Sequence, residues 1–600
     1  MIAHWYGRCA AIAVSLAAFA VAAPAADLDK TLRVSFPVAE TGFDPQAAGD
    51  AYSNYVNRVI FDPLYIYDYL ARPYKIIPNT ATALPEISAD GKSWTIKVRP
   101  GIYFGDDPVF KGRKRELTAA DYVYAWKRVL DPKMRSISNQ VFDGKIVGAD
   151  AVVAAAKATG KFDYDAAIEG LQASDRYTIR LKINFPSYDL LSDLTTAATA
   201  AVAREVVEAY GDASGWAMAN PVGTGPYRLK DWRRGQRIVL EANPGFRDVF
   251  YPDSSDPADR AYVASMRGKK LPAIKHIEIA IIEESNPRLL AFQNRELDFL
   301  SVPVDLIWNV LDPGDKLKPE FKRQGIVLAR GVQPAISYTY FNMEDPVVGG
   351  YTTAKIALRR AISMAYNTDE EIRVVRQGQG EPATQPVPPN VTGYNPKLNG
   401  HVKYDLAGAK ALLDKFGYVD HDGDGWRDLP DGKPLTLSIA SPPSAVDRQF
   451  DELWKKSMDA VGLRIEFVKQ KWPDLLKMGR AGQLQMWSLG NISNTTEAFG
   501  FFDLLYGPRA GVTNLARFNL PEFNQLYDQA RQLPDSPQRT RLFERMSGLV
   551  TAYAPWKLDA YRYETVLIYP WVLGYKYSAF DQYPWKYLDL DAARRVPPGK

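Results

Sequence analysis

The segment from Trp94 to Leu130 constrains the fold most tightly. Trp94, Ile96 and Val98 alternate with Thr95, Lys97 and Arg99, the period-2 pattern of a half-buried strand. Pro100-Gly101 ends that run as turn chemistry. Thr118 reads as a helix N-cap, and Asp121, three residues later, as the acid of a capping box. Tyr122, Ala125, Trp126 and Val129 fall at i, i+3, i+4 and i+7 and form one buried face. Asp131-Pro132 stops the helix. Read alone, this is an ordinary strand–turn–helix packing unit.

Similar units recur. Leu32–Phe36 is a strand entering the loop Ala39–Pro45, and strand and helix signals alternate through residue 200. Pro221–Pro226 is a glycine-punctuated turn before strands at Tyr227–Trp232 and Gln236–Glu241. His276–Ile282 alternates again, Arg288–Asn294 is helical, and Glu296–Leu300 returns to strand. A second region begins near Ile336–Asn342. One helix there carries Leu358, Ala361, Ile362 and Ala365; another carries Ala409, Leu412, Leu413 and Phe416, with Gly417 just past its end. Strands at Leu435–Ile439 and Leu463–Phe467 flank a Phe450–Ala460 helix, and this β-α-β order argues for an α/β lobe with a largely covered sheet. The Tyr- and Val-rich tail from Tyr561 to Tyr577 reads as strands returning to the first lobe.

The N-terminus reads as a secretory signal. Arg8 supplies the positive charge, Cys9–Ala23 is a short apolar run, and Ala23-Pro24-Ala25 is a small-x-small cleavage site, which predicts cutting after Ala25. The run is short for a membrane span of about 20 residues. Cys9 is the only cysteine and sits at the start of the apolar run, where a lipoprotein cysteine would follow it. The mature chain of about 575 residues is therefore expected to be exported, unlipidated and free of disulfides. Its length suggests roughly three or four domain-sized units. The net charge of +4 gives no reason to expect a nucleic-acid or membrane partner.

Six stretches in order resemble one family, the peptide/nickel class (family 5) of extracellular solute-binding proteins of ABC transporters. They are Ala83–Phe104 with the following Thr118-Ala-Ala-Asp121 helix start, Pro221–Tyr227 with Glu241–Pro244, Tyr340–Asn342, Leu358–Ser363, Gly423–Gly425 and Trp585–Leu590. The resemblance implies an α/β, bilobal clamp of the class II periplasmic-binding-protein type, with hinge strands between lobes that close on a solute. It implies a lobe I core at 26–60, 201–335 and 556–600, an extra lobe I subdomain at 61–200, and lobe II at 336–555. It also implies delivery to an ABC permease and ATPase complex from the periplasm, by a chain that works as a monomer with no cofactor.

In peptide-binding relatives a second-lobe aspartate clamps the peptide ammonium. Aligned through Gly482–Gln485, Glu497-Ala498 and Phe501, that position is Asn494, while an arginine and a tryptophan of some peptide binders fall on Ser488 and Asn491. Neutral groups thus replace charge, and a charge-assisted bond is lost. A neutral or differently oriented solute gains ground over a free peptide N-terminus. Asn491, Ser493 and Asn494 either contact ligand or cap a loop. Thr41, Gly42 and Phe43 are first-lobe contacts or surface loop, and Trp487 is a ligand-stacking or a core tryptophan.

Asp420, Asp422, Asp424, Asp428 and Asp431 have calcium-loop spacing. Aspartate replaces the usual closing glutamate at 431, and a strand follows where a helix is expected, so the same residues also read as a plain Asp-Gly turn. A secreted hydrolase is the different-class alternative, yet no Gly-x-Ser-x-Gly elbow or His-Glu-x-x-His helix occurs, and beyond the signal only His276, His401 and His421 remain. No catalytic residue is assigned. A ligand-binding sensor partner is a further alternative that sequence does not separate from transport.

Overall fold

The computed structural model describes residues 30–596 apart from 73, 494, 535 and 582. The expected signal segment, with Cys9 and the Ala25 cleavage point, and Asn494 lie outside the described residues.

Apolar alternation builds the first sheet. Thr31–Phe36 runs parallel to His276–Ile281, with Leu32 opposite Ile277 and Val34 opposite Ile279. Arg237–Ala242 and Tyr227–Arg233 extend it antiparallel. A second four-stranded sheet contains Ser93–Lys97, and Trp94, Ile96 and Val98 share one core with Tyr122, Ala125 and Trp126 of the helix Ala119–Leu130. The capping box forms: the Asp121 carboxylate accepts from the Thr118 backbone N–H at 2.7 Å and from its hydroxyl at 2.8 Å. The Trp126 indole N–H donates to the Thr199 carbonyl at 2.9 Å, which fixes the helix over the sheet.

The third sheet has seven strands. In its second-lobe half, Thr436–Ser441 pairs in parallel with Arg464–Lys469 and with Met486–Ile492, and the helix Ala445–Asp459 crosses between the first two. That is the β-α-β unit read from the sequence, with Leu437 fully buried and Ile439 nearly so.

Two strands of this sheet, Val327–Phe341 and Trp556–Ile568, run through both halves of the molecule. Leu328, Val566, Leu567 and Ile568 pack in a core with residues such as Leu32 and Phe36. Ile336, Tyr338, Tyr340, Trp556, Leu558 and Tyr561 pack in another core with Phe501 and Phe543. The fold is the expected bilobal α/β clamp, and these are its hinge strands. Their register shifts between Val332 and Ile336, where Gln333, Pro334 and Ala335 bulge past Arg562.

Several boundaries differ from the sequence reading: the helix read from Phe450 starts at Ala445 behind its Ser444 cap, and the tail strand read from Tyr561 starts at Trp556. The first hinge strand starts at Val327, nine residues before Ile336. Its early half is held by pairing with Tyr563–Ile568, a partner more than 200 residues away that local periodicity does not reveal. The strand expected from Glu296 begins at Phe299, because Arg295 adopts a left-handed φ of 63° and turns the chain first. Among the described residues no helix is long and apolar enough to cross a membrane.

Candidate ligand-binding cleft

The lobes meet on both sides of the hinge strands. The Thr496 N–H donates to the Tyr67 hydroxyl at 3.3 Å, and the Ala445 N–H donates to Glu284 Oε2 at 3.2 Å. Arg509 donates to the Ile137 carbonyl at 2.8 Å and to Gln140 Oε1 at 3.2 Å. These contacts bridge the two lobes in addition to the hinge strands. A separate cavity of about 80 Å³, lined by Arg58, Tyr67, Phe580 and Lys586 among others, lies within the first lobe and has room for a few waters.

The loop after the first strand is pinned at nearly every residue. Glu40 accepts from the Trp232 indole at 2.6 Å and from the Gly235 N–H at 2.9 Å. The Thr41 hydroxyl donates to Asp50 Oδ2 at 2.5 Å, and Asp50 caps the helix Ala51–Ile60 by accepting from the Ser53 N–H at 2.8 Å. Gly42 has φ +142°, and a Cβ there would lie 2.7 Å from the Met218 sulfur. Phe43 is fully buried, its ring 4.7 Å from that of Trp232. Asp44 accepts from Arg128 at 2.6 and 3.1 Å and from the Ala217 N–H at 2.8 Å. Phe43 therefore has no surface for a solute, and Gly42 is committed to a close approach; Thr41 is the residue of the three that stays partly exposed.

On the second lobe, Met486–Ile492 pairs antiparallel with the first hinge strand. Trp487 is 1% exposed, packs in a core and lies 6.2 Å from the Trp472 ring. That places it as a core tryptophan. Ser488 shares a 2.6 Å hydroxyl–hydroxyl hydrogen bond with Thr339. Asn491 sits opposite Ile336, half-buried, beside the bulge. Ser493 caps its own loop, its hydroxyl donating to the Thr495 carbonyl at 2.6 Å while the Thr495 N–H returns a 3.1 Å bond to that hydroxyl. Glu497 accepts from Arg539 at 2.8 Å and Phe501 is fully buried, so the segment after Asn494 is built as scaffold.

The charges of the cleft come from residues the sequence reading did not single out. Arg562 and Glu564 are two apart on the second hinge strand and so project from one face. The Arg562 guanidinium reaches across the first hinge strand to Gly490: a Cβ at 490 would lie 2.8 Å from its Nη1. Arg562 donates no hydrogen bond and joins no ion pair among the described residues, and its Nε has no partner. Burial, then the field of Arg376, pushes its pKa down. Arg288, on the helix Ser285–Gln293, is 8% exposed; its Nε also lacks a partner, and its one hydrogen bond is a 3.4 Å contact to the Ser285 hydroxyl. Burial pushes its pKa down as well.

Tyr52 stands within electrostatic reach of Arg288, Arg562 and Glu564. Burial raises its pKa while the two arginines oppose the rise. Burial also raises the pKa of Glu564, against hydrogen bonds from Gln333 at 3.2 Å and Ser301 at 3.3 Å. From the other lobe, Arg480 faces Asp50, with its pKa pushed down by burial and its Nε without a partner. The sequence held one signal of this group: Arg562 and Glu564 are charged residues at alternate positions of a strand, as are Lys557 and Asp559 before them.

Among the calcium-loop candidates, carboxylate oxygens of Asp420, Asp422 and Asp428 lie within 4.8 Å of one another. Asp424 and Asp431 are instead paired with Arg464 at 2.7 Å and Lys433 at 2.6 Å. Asp420 accepts from the N–H groups of Gly423 at 2.7 Å and Gly425 at 2.9 Å, so the turn organises its own carboxylates.

The family profile of bacterial extracellular solute-binding proteins, family 5 (middle), matches residues 75–512. The chain belongs to this family. A family-5 member is an extracellular solute-binding component of an ABC importer, and the chain is accordingly not an enzyme, which sets the hydrolase alternative aside. Family membership bears out the resemblance drawn from the six sequence stretches. This family-5 protein is 25% identical over 562 residues to di/tripeptide-binding protein 2 of Pseudomonas aeruginosa, a match covering 90% of this chain and 91% of that protein. Its fold is similar to the Helicobacter pylori periplasmic binding protein DppA in complex with the peptide STSA, with TM-score 0.74, 21% identity, and coverage of 93% of this chain and 98% of that one. It is likewise similar to Bacillus subtilis AppA in complex with a nonapeptide, with TM-score 0.76, 16% identity, and coverage of 94% and 99%.

Proposed function

We propose that this family-5 protein captures a small peptide or peptide-like polar solute in the periplasm and hands it to its permease. The lobes are proposed as a lobe I core (26–60, 201–335, 556–600), a lobe I subdomain (61–200) and lobe II (336–555), working as a monomer released by cleavage after Ala25. The observation that carries the reading is the pair of strands running through both cores behind a cleft lined by desolvated polar groups. The relatives named for di/tripeptides, a tetrapeptide and a nonapeptide support the solute class.

Asn494 stands where peptide binders of the family place an ammonium-clamping aspartate, which supports a solute that does not rely on a free N-terminus. Native mass spectrometry of protein purified from periplasm tests capture directly: a bound small molecule is expected, and its loss on denaturation should accompany a more open solution-scattering profile. The same mass reports the monomer and the N-terminus at Ala26. Asn494→Asp should shift affinity toward ammonium-bearing peptides by roughly tenfold, about 1.4 kcal/mol, in calorimetric titration. Unchanged preference would remove Asn494 from the site.

A further inference from the structure

We infer that the hinge end of the cleft is an oxyanion site, in which Arg562 and Arg288 receive a carboxylate or similar group of the solute. This rests on the solute-binding reading above and adds the charge of the ligand.

The argument is one of unmatched groups. Buried arginines are ordinarily satisfied by acids or carbonyls, since a guanidinium carries five N–H donors and is not neutralised in proteins. The half-buried Arg562 side chain donates no hydrogen bond among the described residues, and Arg288, although 8% exposed, has one long contact to a hydroxyl. Both lie within electrostatic reach of Tyr52, whose hydroxyl also makes no hydrogen bond among the described residues. Two arginines without an acid partner thus share the neighbourhood of Tyr52.

The nearby acids do not answer them. Glu564 is held by Ser301 and Gln333 and forms no ion pair with Arg562; Asp305 faces Arg288 without reaching it, one of its oxygens lacking any partner. Glu284 is taken up by the Ala445 N–H. Gly490 leaves room for the Arg562 guanidinium, since a Cβ there would lie 2.8 Å from its Nη1 and push it aside. A planar, two-oxygen anion matches the guanidinium fork.

The experiment compares wild type with Arg562→Met. Solute is released by denaturation from natively purified protein and identified by mass and ion polarity, which also separates a carboxylate from a phosphate. The refolded chains are then titrated with that solute and with succinate and succinamide as a charged and neutral pair. The expected result is an anionic solute, at least tenfold weaker binding by Arg562→Met, and stabilisation of wild type by succinate but not succinamide. The ligand-free variant should melt no lower than wild type, which a merely structural arginine would not permit. Glu564→Gln should bind the anion severalfold more tightly. A cationic or uncharged solute, or equal binding by Arg562→Met, overturns the inference and leaves solute binding standing. No bound solute and no response to either probe overturns both.

Discussion

Arg128 and Arg562 are the same residue in opposite circumstances. Arg128 is 1% exposed and donates to Asp44, Gln46 and the Gly215 carbonyl; burial alone would lower its pKa, but the field and hydrogen bond of Asp44, with Tyr124 and Tyr164, together hold it above the ordinary value. Arg562 has lost much of its water and gained no partner, so burial wins and its pKa falls. Arg359 is a third case, fully buried with its donors spent on the carbonyls of Val348, Gly350, Tyr553 and Ala554. A satisfied arginine locks a loop or a helix in place. Under the inference above, Arg562 takes its partner from the solute.

The largest expected effect breaks the satisfied side. Asp44→Ala strands the Arg128 charge and the Ala217 N–H and should cost about 3–5 kcal/mol in chemical denaturation. A loss under 1 kcal/mol would mean that the loop is not the scaffold described. Gly42→Ala tests the same loop through its backbone. A φ of +142° and the approach to Met218 should cost about 1–3 kcal/mol, with affinity for solute changed less than stability.

Asp447 sharpens the comparison with an acid. It sits in the first turn of the helix whose Ala445 N–H touches Glu284 across the cleft, and burial pushes it up to about 6 against the hydrogen bond from Ser444. Asp451, Lys469 and Glu284 face it, with Lys469 paired to Asp451. A carboxyl with a raised folded-state pKa favours folding while protonated; that contribution is complete below about pH 4 and is lost as pH rises toward about 6. Asp447→Asn should therefore match wild type near pH 4 and exceed it by ~1–2 kcal/mol above pH 6. Parallel profiles would place Asp447 in contact with solvent. The smallest effect is Thr118→Ala, which loses one donor to Asp121 in a helix far from the hinge strands and should cost about 1 kcal/mol without altering binding.

Legibility followed the range of the interactions. The Thr118 cap, the Trp94–Val98 strand and the helix Ala119–Leu130 stand where local spacing placed them, and the β-α-β unit of the second lobe forms with its helix starting five residues before Phe450. Each depends on neighbours within a few residues or on a period of 2 or 3.6. The site was less legible. Phe43 and Trp487 carry aromatic bulk that fits a ligand wall or a core equally well in sequence, and burial alone assigns them to cores.

The sequence by itself determined the family, the mixed α/β class and the caps and turns, because those rest on local chemistry and on word order along the chain. Tertiary structure decided where the hinge strands begin, since Val327–Val332 is held by residues 563–568. It also decided which arginines are spent and which are free. A guanidinium's partners are fixed by packing between segments distant in the chain, and no local pattern reports that Arg128 meets Asp44 while the Arg562 side chain meets no acid partner among the described residues.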